Sequence, residues 1–258
     1  LIKMMVGRDI EQLYTPRQSA PPEADAGAPL LSVRALGDGH QLRDITFDIQ
    51  PGEIVGIAGL LGAGRDVLVD LLYGLKRVDS GVISIDGQPR RIRTPKQAIR
   101  AGMALVPRDR RHQGLILPFS TADNINLASL LEKARSWIEQ LSIRPGRPEL
   151  PVRLMSGGNQ QKAILARWLG TDARLFILDE PTLGVDIGAR SDIYQRTRQL
   201  ADRGRAVLVS SSDAPELLGL CDRILVMWRG ELVANLATQG LTLDALLATI
   251  NGGQEQQL

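Results

Sequence analysis

Hydrophobic and polar positions divide this chain into short apolar strands, loops and helical stretches. Over residues 44–49 the alternation is strict, with Ile45, Phe47 and Ile49 on one face and Asp44, Thr46 and Asp48 on the other, as in a half-buried strand. Residues 54–58 are instead continuously apolar and run into a glycine-rich loop, Gly59 to Gly64. Behind that loop Val67, Leu68, Leu71, Leu72 and Leu75 recur at helical spacing. The order predicts a buried strand, a tight loop and an amphipathic helix. Residues 82–85 followed by Asp86-Gly87 read as a hairpin arm and its turn, so an antiparallel sheet is expected on both sides of the loop in sequence. Further short apolar strands fall at 103–106, 175–178, 206–210 and 224–227. The last leads through an Arg229-Gly230 turn into another strand at 231–233. Such strands alternating with helices predict an α/β fold with a largely parallel sheet. Residues 115–153 read as mostly helical, with a break around Pro145 and Pro148.

The two ends read differently from the middle. Residues 1–14 hold a short amphipathic piece, 15–29 are rich in proline, alanine and polar residues as a linker is, and 251–258 form a polar tail expected to be disordered. The domain is thus expected over 30–250. A leucine at position 1 suggests a piece of a longer polypeptide. With 43% hydrophobic residues among 258, the chain can bury a substantial core as one domain with subdomains. A net charge of +2 excludes a polycation, although 26 of the 31 basic residues are arginine. Between Arg90 and Arg111 eight basic residues face the single acid Asp109; this is a solvated face or a binding patch, the former being the default. The single cysteine, Cys221, excludes an internal disulfide and fits a reducing compartment. No apolar run approaches the roughly 18 residues of a membrane span, and the start lacks a signal-peptide core, so membrane contact is expected only through a partner.

Three segments carry chemistry. The glycines of the loop allow backbone N–H groups to converge on an anion, with the positive end of the following helix behind them. Their spacing fits GxxxxGK[ST], but Arg65 stands at the lysine position and Asp66 at the position of the magnesium-binding hydroxyl. A carboxylate about 4 Å from a phosphate oxygen is repelled by roughly 4 kcal/mol at an effective dielectric near 20, unless a cation lies between them. Weak nucleotide affinity is expected, and a ligand-free strand-to-helix turn is the alternative. In the second segment, Leu175 to Leu178 end in Asp179 and Glu180, which suits the first to orient a metal shell and the second to polarise an attacking water. Either acid alone would read as a helix cap. In the third, Ser156, Gly157 and Gly158 open a helix carrying Ile164, Leu165, Trp168 and Leu169 on one side, another arrangement suited to an anion, or simply an N-cap.

Taken together these segments resemble the ATP-binding cassette (ABC) family over about residues 30–235. GLLGAGRD (59–66) is similar to its Walker A, MSGGNQQK (155–162) to its signature, LFILDEPT (175–182) to its Walker B with glutamate, and GVD (184–186) to its D-loop. The wording SGGNQQK, an arginine in Walker A and an MMVGR segment at 4–8 resemble the second cassette of ribose- and galactose-type monosaccharide importers, which carry two cassettes in one chain. The resemblance implies a P-loop NTPase of RecA-like, mostly parallel sheet. To that sheet are joined an antiparallel β subdomain and a helical, signature-bearing subdomain at about 115–160, with the end of a preceding cassette and a linker at 1–29.

It also implies ATP and Mg2+ as ligands. Gly59, Gly62, Ala63, Gly64, Arg65 and Asp66 would bind nucleotide, Asp179 metal, and Glu180 would be catalytic. Ser156, Gly157, Gly158, Asn159 and Gln160 would meet a partner cassette's nucleotide, and Asp186 would belong to the D-loop. Departures cluster in one half-site. Arg108 stands where the family has glutamine or, in these second cassettes, glutamate; Ser212 stands at the switch-histidine position; no aromatic between Leu31 and Ile45 stacks on adenine, leaving His40. A sound signature beside an altered phosphate loop implies a cassette that chiefly completes its partner's site and is weakly active or inactive alone. Implied partners are another cassette, membrane permease subunits and, indirectly, a sugar-binding protein, at the cytoplasmic face of the inner membrane. Rival expectations are a soluble ABC ATPase without transport, a regulatory nucleotide-binding module, and a nucleic-acid binder using the 90–111 arginines.

Overall fold

The computed structural model describes residues 27–128 and 134–252. The 1–14 piece, the MMVGR segment and residues 253–258 of the tail lie outside them, as does the linker up to residue 26. In chain order come β1 (Leu31–Gly37), β2 (Ile45–Ile49), β3 (Ile54–Ala58), α1 (Arg65–Tyr73), β4 (Ser80–Ile85), β5 (Gln88–Arg90), α2 (Pro95–Arg100) and β6 (Met103–Val106). A π-helical turn, Arg110–Gly114, is followed by α3 (Thr121–Asn126), α4 (Ala134–Gln140), the 3-10 turn Val152–Leu154 and α5 (Gly157–Leu169). The rest comprises β7 (Leu175–Asp179), α6 (Ile187–Asp202), β8 (Ala206–Ser210), α7 (Ala214–Leu220), β9 (Arg223–Trp228), β10 (Glu231–Ala237) and α8 (Leu243–Gly252). Among the described residues no helix is long and apolar enough to cross a membrane.

These elements form two compact units. The sheet unit takes in 27–105, 174–179 and 198–252; the helical unit takes in 106–128, 134–173 and 180–197. In the sheet unit an antiparallel sheet of order β2-β1-β4-β5 accompanies a six-stranded sheet of order β10-β9-β3-β8-β7-β6. There β9, β3, β8 and β7 are parallel neighbours and β10 returns antiparallel on β9. The strict alternation of 44–49 becomes β2, whose Phe47 and Ile49 face Val33 and Leu31 across the ladder. The continuous run of 54–58 becomes β3, buried at all five residues as a central parallel strand must be. One apolar core joins β1, β2, β3, β7, β8 and α1.

Three expectations shift in detail. Helix α1 stops at Tyr73 because Gly74 adopts the left-handed C-cap, so Leu75 lies beyond it and is exposed. The strand read at 231–233 extends to Ala237 along the sheet edge, with no residue fully buried. The mostly helical reading of 115–153 is corrected: among the described residues only α3, α4 and the 3-10 turn are helical there. Pro118, Pro145, Pro148 and Pro151 withhold amide donors. The buried Asn124 also offers the loop an alternative to helix, since its Oδ1 accepts the Ile116 N–H at 2.9 Å and its Nδ2 donates to the Ile116 and Ser120 carbonyls at 3.0 Å each.

A buried ion pair fixes one end of the sheet unit. Asp222 accepts the Ile54 N–H at 2.8 Å and the Arg198 guanidinium at 3.3 Å, while Arg198 also donates to the Leu220 carbonyl at 2.6 Å. Both side chains are less than 10% exposed. Removing one partner strands the other charge in a poorly solvated place, so Asp222→Ala is expected to cost about 3 kcal/mol. Chemical denaturation at an unchanged m-value would register this; a loss under about 1 kcal/mol would show the pair to be dispensable. Nearby Cys221 is fully buried, which pushes its thiol well up and leaves it an unreactive core residue.

Candidate functional site

In the sheet unit the glycine loop leaves β3 and closes on itself through the Ala63 N–H donating to the Leu60 carbonyl at 3.0 Å. Its tip is open: Leu61 is 98% exposed, and a Cβ built on Gly62 would meet nothing within 4 Å. Its base is closed, because Gly64, the left-handed N-cap of α1, would place a Cβ 2.5 Å from Leu42 Cδ2. Two further segments hold the loop from behind. Gly230 N–H donates to the Ala63 carbonyl at 3.0 Å, Arg43 N–H to the Gly230 carbonyl at 2.9 Å, and Gln41 Nε2 to the Gly62 carbonyl at 3.4 Å. The amides of this loop are therefore presented by a braced backbone, which is what anion capture needs.

Arg65 and Asp66 open α1. The Arg65 guanidinium donates to Ser210 Oγ at 3.4 Å, and strand register sets Ser210 opposite Asp179 on one side and Ile57 on the other. The arginine thus reaches the carboxyl end of β8, which lies between β3 and β7 in the sheet. Asp66 sits in the first turn, where a carboxylate suits the positive end of the helix and so serves the fold even as it would oppose a phosphate. Asp179 is buried as the last residue of β7. Asp66 and Asp179 are hard-oxygen donors of the kind magnesium takes, and among the described residues no group of three His, Cys, Asp or Glu is assembled into a protein cage. Magnesium that bridges phosphates commonly uses one or two carboxylates and waters, so this donor set fits it. Ser212 is exposed after β8. Its buried neighbour Ser211 donates its hydroxyl to the Glu216 carboxylate and its N–H to the Ile57 carbonyl at 3.3 Å.

In the helical unit Ser156 caps α5. Its Oγ accepts the Asn159 N–H at 3.4 Å and Asn159 Nδ2 at 2.9 Å, and Asn159 Oδ1 accepts the Arg144 N–H at 2.9 Å. Ser156 Oγ is the acceptor in both contacts and lies at the head of a 13-residue helix, beside its first amides. Gln160 instead turns inward, donating to the Val152 and Met155 carbonyls at 3.1 and 3.3 Å. Lys162 is buried and paired with Asp192 at 2.5 Å. Glu180 follows β7 with φ 48°, a left-handed conformation costing a non-glycine residue on the order of 1–3 kcal/mol and shared here with turn residues such as Asp86 and Arg229. Asp186 Oδ1 accepts the Ala189 N–H at 2.9 Å, and Arg108 is exposed just after Pro107.

The structure therefore brings Gly59, Gly62, Ala63, Gly64, Arg65, Asp66, Asp179 and Ser212 into one unit, and Ser156 to Gln160, Glu180, Asp186 and Arg108 into the other. Sequence reasoning missed Ser210, Gly230 and Arg110. The first two are small residues with no motif of their own, and the third is hidden within the 90–111 charge run.

A family model described as ABC transporter matches residues 42–183. The chain is 40% identical over 271 aligned residues to the ribose import ATP-binding protein RbsA of Cereibacter sphaeroides, covering 100% of this chain and 53% of that protein. It is 42% identical to the protein of the same name from Pseudomonas putida, covering 100% and 52%. The chain thus spans about half the length of the curated relatives it matches. Among solved structures it superposes on an ATP-binding subunit of an ABC transporter with TM-score 0.74 at 24% identity, over 86% of this chain and 99% of that one. On a bacterial Atm1-family ABC exporter with ATP bound the TM-score is 0.73 at 24% identity, over 98% and 46%. Likeness at that identity establishes the fold, an ABC ATPase of the P-loop NTPase class with a mixed sheet and an antiparallel sheet. With more than half of its length matched by the family model, the chain belongs to the ABC transporter family.

Proposed function

We propose that this chain is the second ATP-binding cassette of a sugar importer ATPase of the ribose or galactose type. In that role it chiefly completes the nucleotide site of a partner cassette in the same polypeptide. The observation that carries this reading is the contrast between two anion-binding starts. Ser156 places a hydroxyl, exposed and held by Asn159, and two glycine amides at the head of a long helix. Arg65 instead lies against Ser210, and Asp66 occupies the first turn behind the phosphate loop. The relatives' name, ribose import, and their roughly doubled length, which leaves room for another cassette in the same polypeptide, support this reading.

In this reading ATP held under the signature receives the Ser156 hydroxyl and the Gly157 and Gly158 amides. Asp179 and Asp66 would hold Mg2+, which when bound offsets phosphate charge. Glu180 would orient and deprotonate water in any turnover at the chain's own site, which makes a purely regulatory module the weaker alternative. Four large apolar side chains of the helical unit, Ile116, Phe119, Leu127 and Leu154, are each at least 40% exposed and suit a membrane permease better than a free cytosolic ATPase. The system would then act at the cytoplasmic face of the inner membrane.

Titration of the chain alone with Mg·ATP is expected to give a Kd near 1 mM or weaker, about −4 kcal/mol, and negligible turnover. Addition of the partner cassette should restore hydrolysis. Brisk turnover by the chain alone would refute the proposal.

A further inference from the structure

Arg110 is the first residue of the π-helical turn after the Arg108 segment, and it reaches two other motifs of the helical unit at once. Its Nη1 donates to the Leu183 carbonyl at 2.7 Å and its Nη2 to the Gly184 carbonyl at 3.4 Å. A Cβ on Gly157 would come within 2.7 Å of the same Nη2 and 2.9 Å of the Gly184 oxygen, so only glycine fits between guanidinium, turn and helix start. One residue on, a Cβ at Gly158 would lie 2.6 Å from Ala189 Cβ and 3.1 Å from Asp186 Oδ2. Within the turn, Leu183 N–H donates to the Glu180 carbonyl at 3.2 Å and Val185 N–H to the Thr182 carbonyl at 3.1 Å.

The base of Arg110 is itself anchored. Asp109 accepts the Arg111 and His112 amides at 3.1 and 3.0 Å and pairs with the His112 ring at 2.8 Å. A planar fork with two N–H groups on neighbouring carbonyls is a rigid tie that a single ammonium would reproduce only in part.

We propose that Arg110 is a positioning residue that locks the Leu183–Gly184 turn onto the head of the signature helix. Ser156, Gly157 and Asp186 then move as one piece, tied to the segment that carries Arg108. The inference rests on the functional reading above for its catalytic consequence, but its structural core concerns this chain alone.

The test uses hydrogen exchange on the chain and ATP turnover by the full-length polypeptide with its permease, each for wild type, Arg110→Ala and Arg110→Lys. In Arg110→Ala the Leu183 and Val185 amides should exchange about tenfold faster, the loss expected for one or two charge-assisted bonds, while amides of β3 and β8 keep their protection. Turnover should fall about tenfold in kcat with KM for ATP unchanged, and Arg110→Lys should recover part of both effects. A uniform rise in exchange across β3 and β8 would indicate a merely structural role, and unchanged exchange at Leu183 and Val185 would equally overturn the proposal. Should wild-type full-length protein fail to hydrolyse ATP, the functional reading falls while the exchange result still decides the role of Arg110.

Discussion

Gly157→Asp in the full-length transporter is expected to lower ATP turnover about a thousandfold, whereas Arg65→Ala should change it by no more than about threefold. The first effect has two sources. Any side chain at position 157 must displace the Arg110 guanidinium or the Gly184 carbonyl, which lie 2.7 and 2.9 Å from where its Cβ would sit. An aspartate also sets a negative charge at the helix start that, in the proposed role, receives a triphosphate. At about 4 Å and an effective dielectric near 20 that repulsion is roughly 4 kcal/mol, and each 1.4 kcal/mol is a factor of ten. Ser156→Ala removes one donor and the helix cap, so a smaller loss of roughly ten- to a hundredfold follows. Arg65, by contrast, donates to Ser210 Oγ at 3.4 Å at the end of the sheet. If the loop it follows contributes little turnover, its removal costs little. Steady-state ATPase rates of the three variants in proteoliposomes decide the matter, and equal losses from Gly157→Asp and Arg65→Ala would sink the asymmetry between the two half-sites.

How much of this was legible in the sequence depended on whether a signal was local. Period-two alternation over 44–49 and the unbroken apolar run of 54–58 specify β2 and β3 because strand burial imposes those periods directly. The placement of the glycine loop between β3 and α1, and of Asp179 at the end of β7, is legible for the same reason, since each follows from consecutive residues. The mostly helical reading of residues 115–153 fails because prolines and the carbonyl-binding Asn124 side chain favour turns there. The braces of the site were illegible in principle. Ser210 meets Arg65 across 145 residues of sequence and Arg110 meets Leu183 across 73, and neither partner carries a pattern that announces the other. Arginine in a run of eight basic residues reads as solvated surface until the fold shows which one is tied to a distant turn.

Gly230 shows the same long-range dependence, and replacing it with alanine is expected to be among the most damaging single changes in the sheet unit. A Cβ there would sit 1.7 Å from the Gln41 carbonyl oxygen and 2.8 Å from its carbon, both backbone atoms that no rotamer change can clear. Gly230 has φ 85°, which an alanine adopts only at a cost of order 1 kcal/mol or more. Relieving the overlap by moving the backbone endangers the Gly230 N–H bond to Ala63 and the Arg43 N–H bond to Gly230, each worth about 1 kcal/mol. The sum is a loss of about 3 kcal/mol or more, a drop in Tm of roughly 6–12 °C for a domain of this size. Gly204 supplies the control, since it has φ 77° and a Cβ there would meet nothing within 4 Å. Gly204→Ala should therefore cost only the conformational part, about 1 kcal/mol. Thermal unfolding of the two variants separates overlap from backbone preference: similar shifts would mean that the 41–43 segment yields freely. In that case the phosphate loop is less firmly braced than its hydrogen bonds imply.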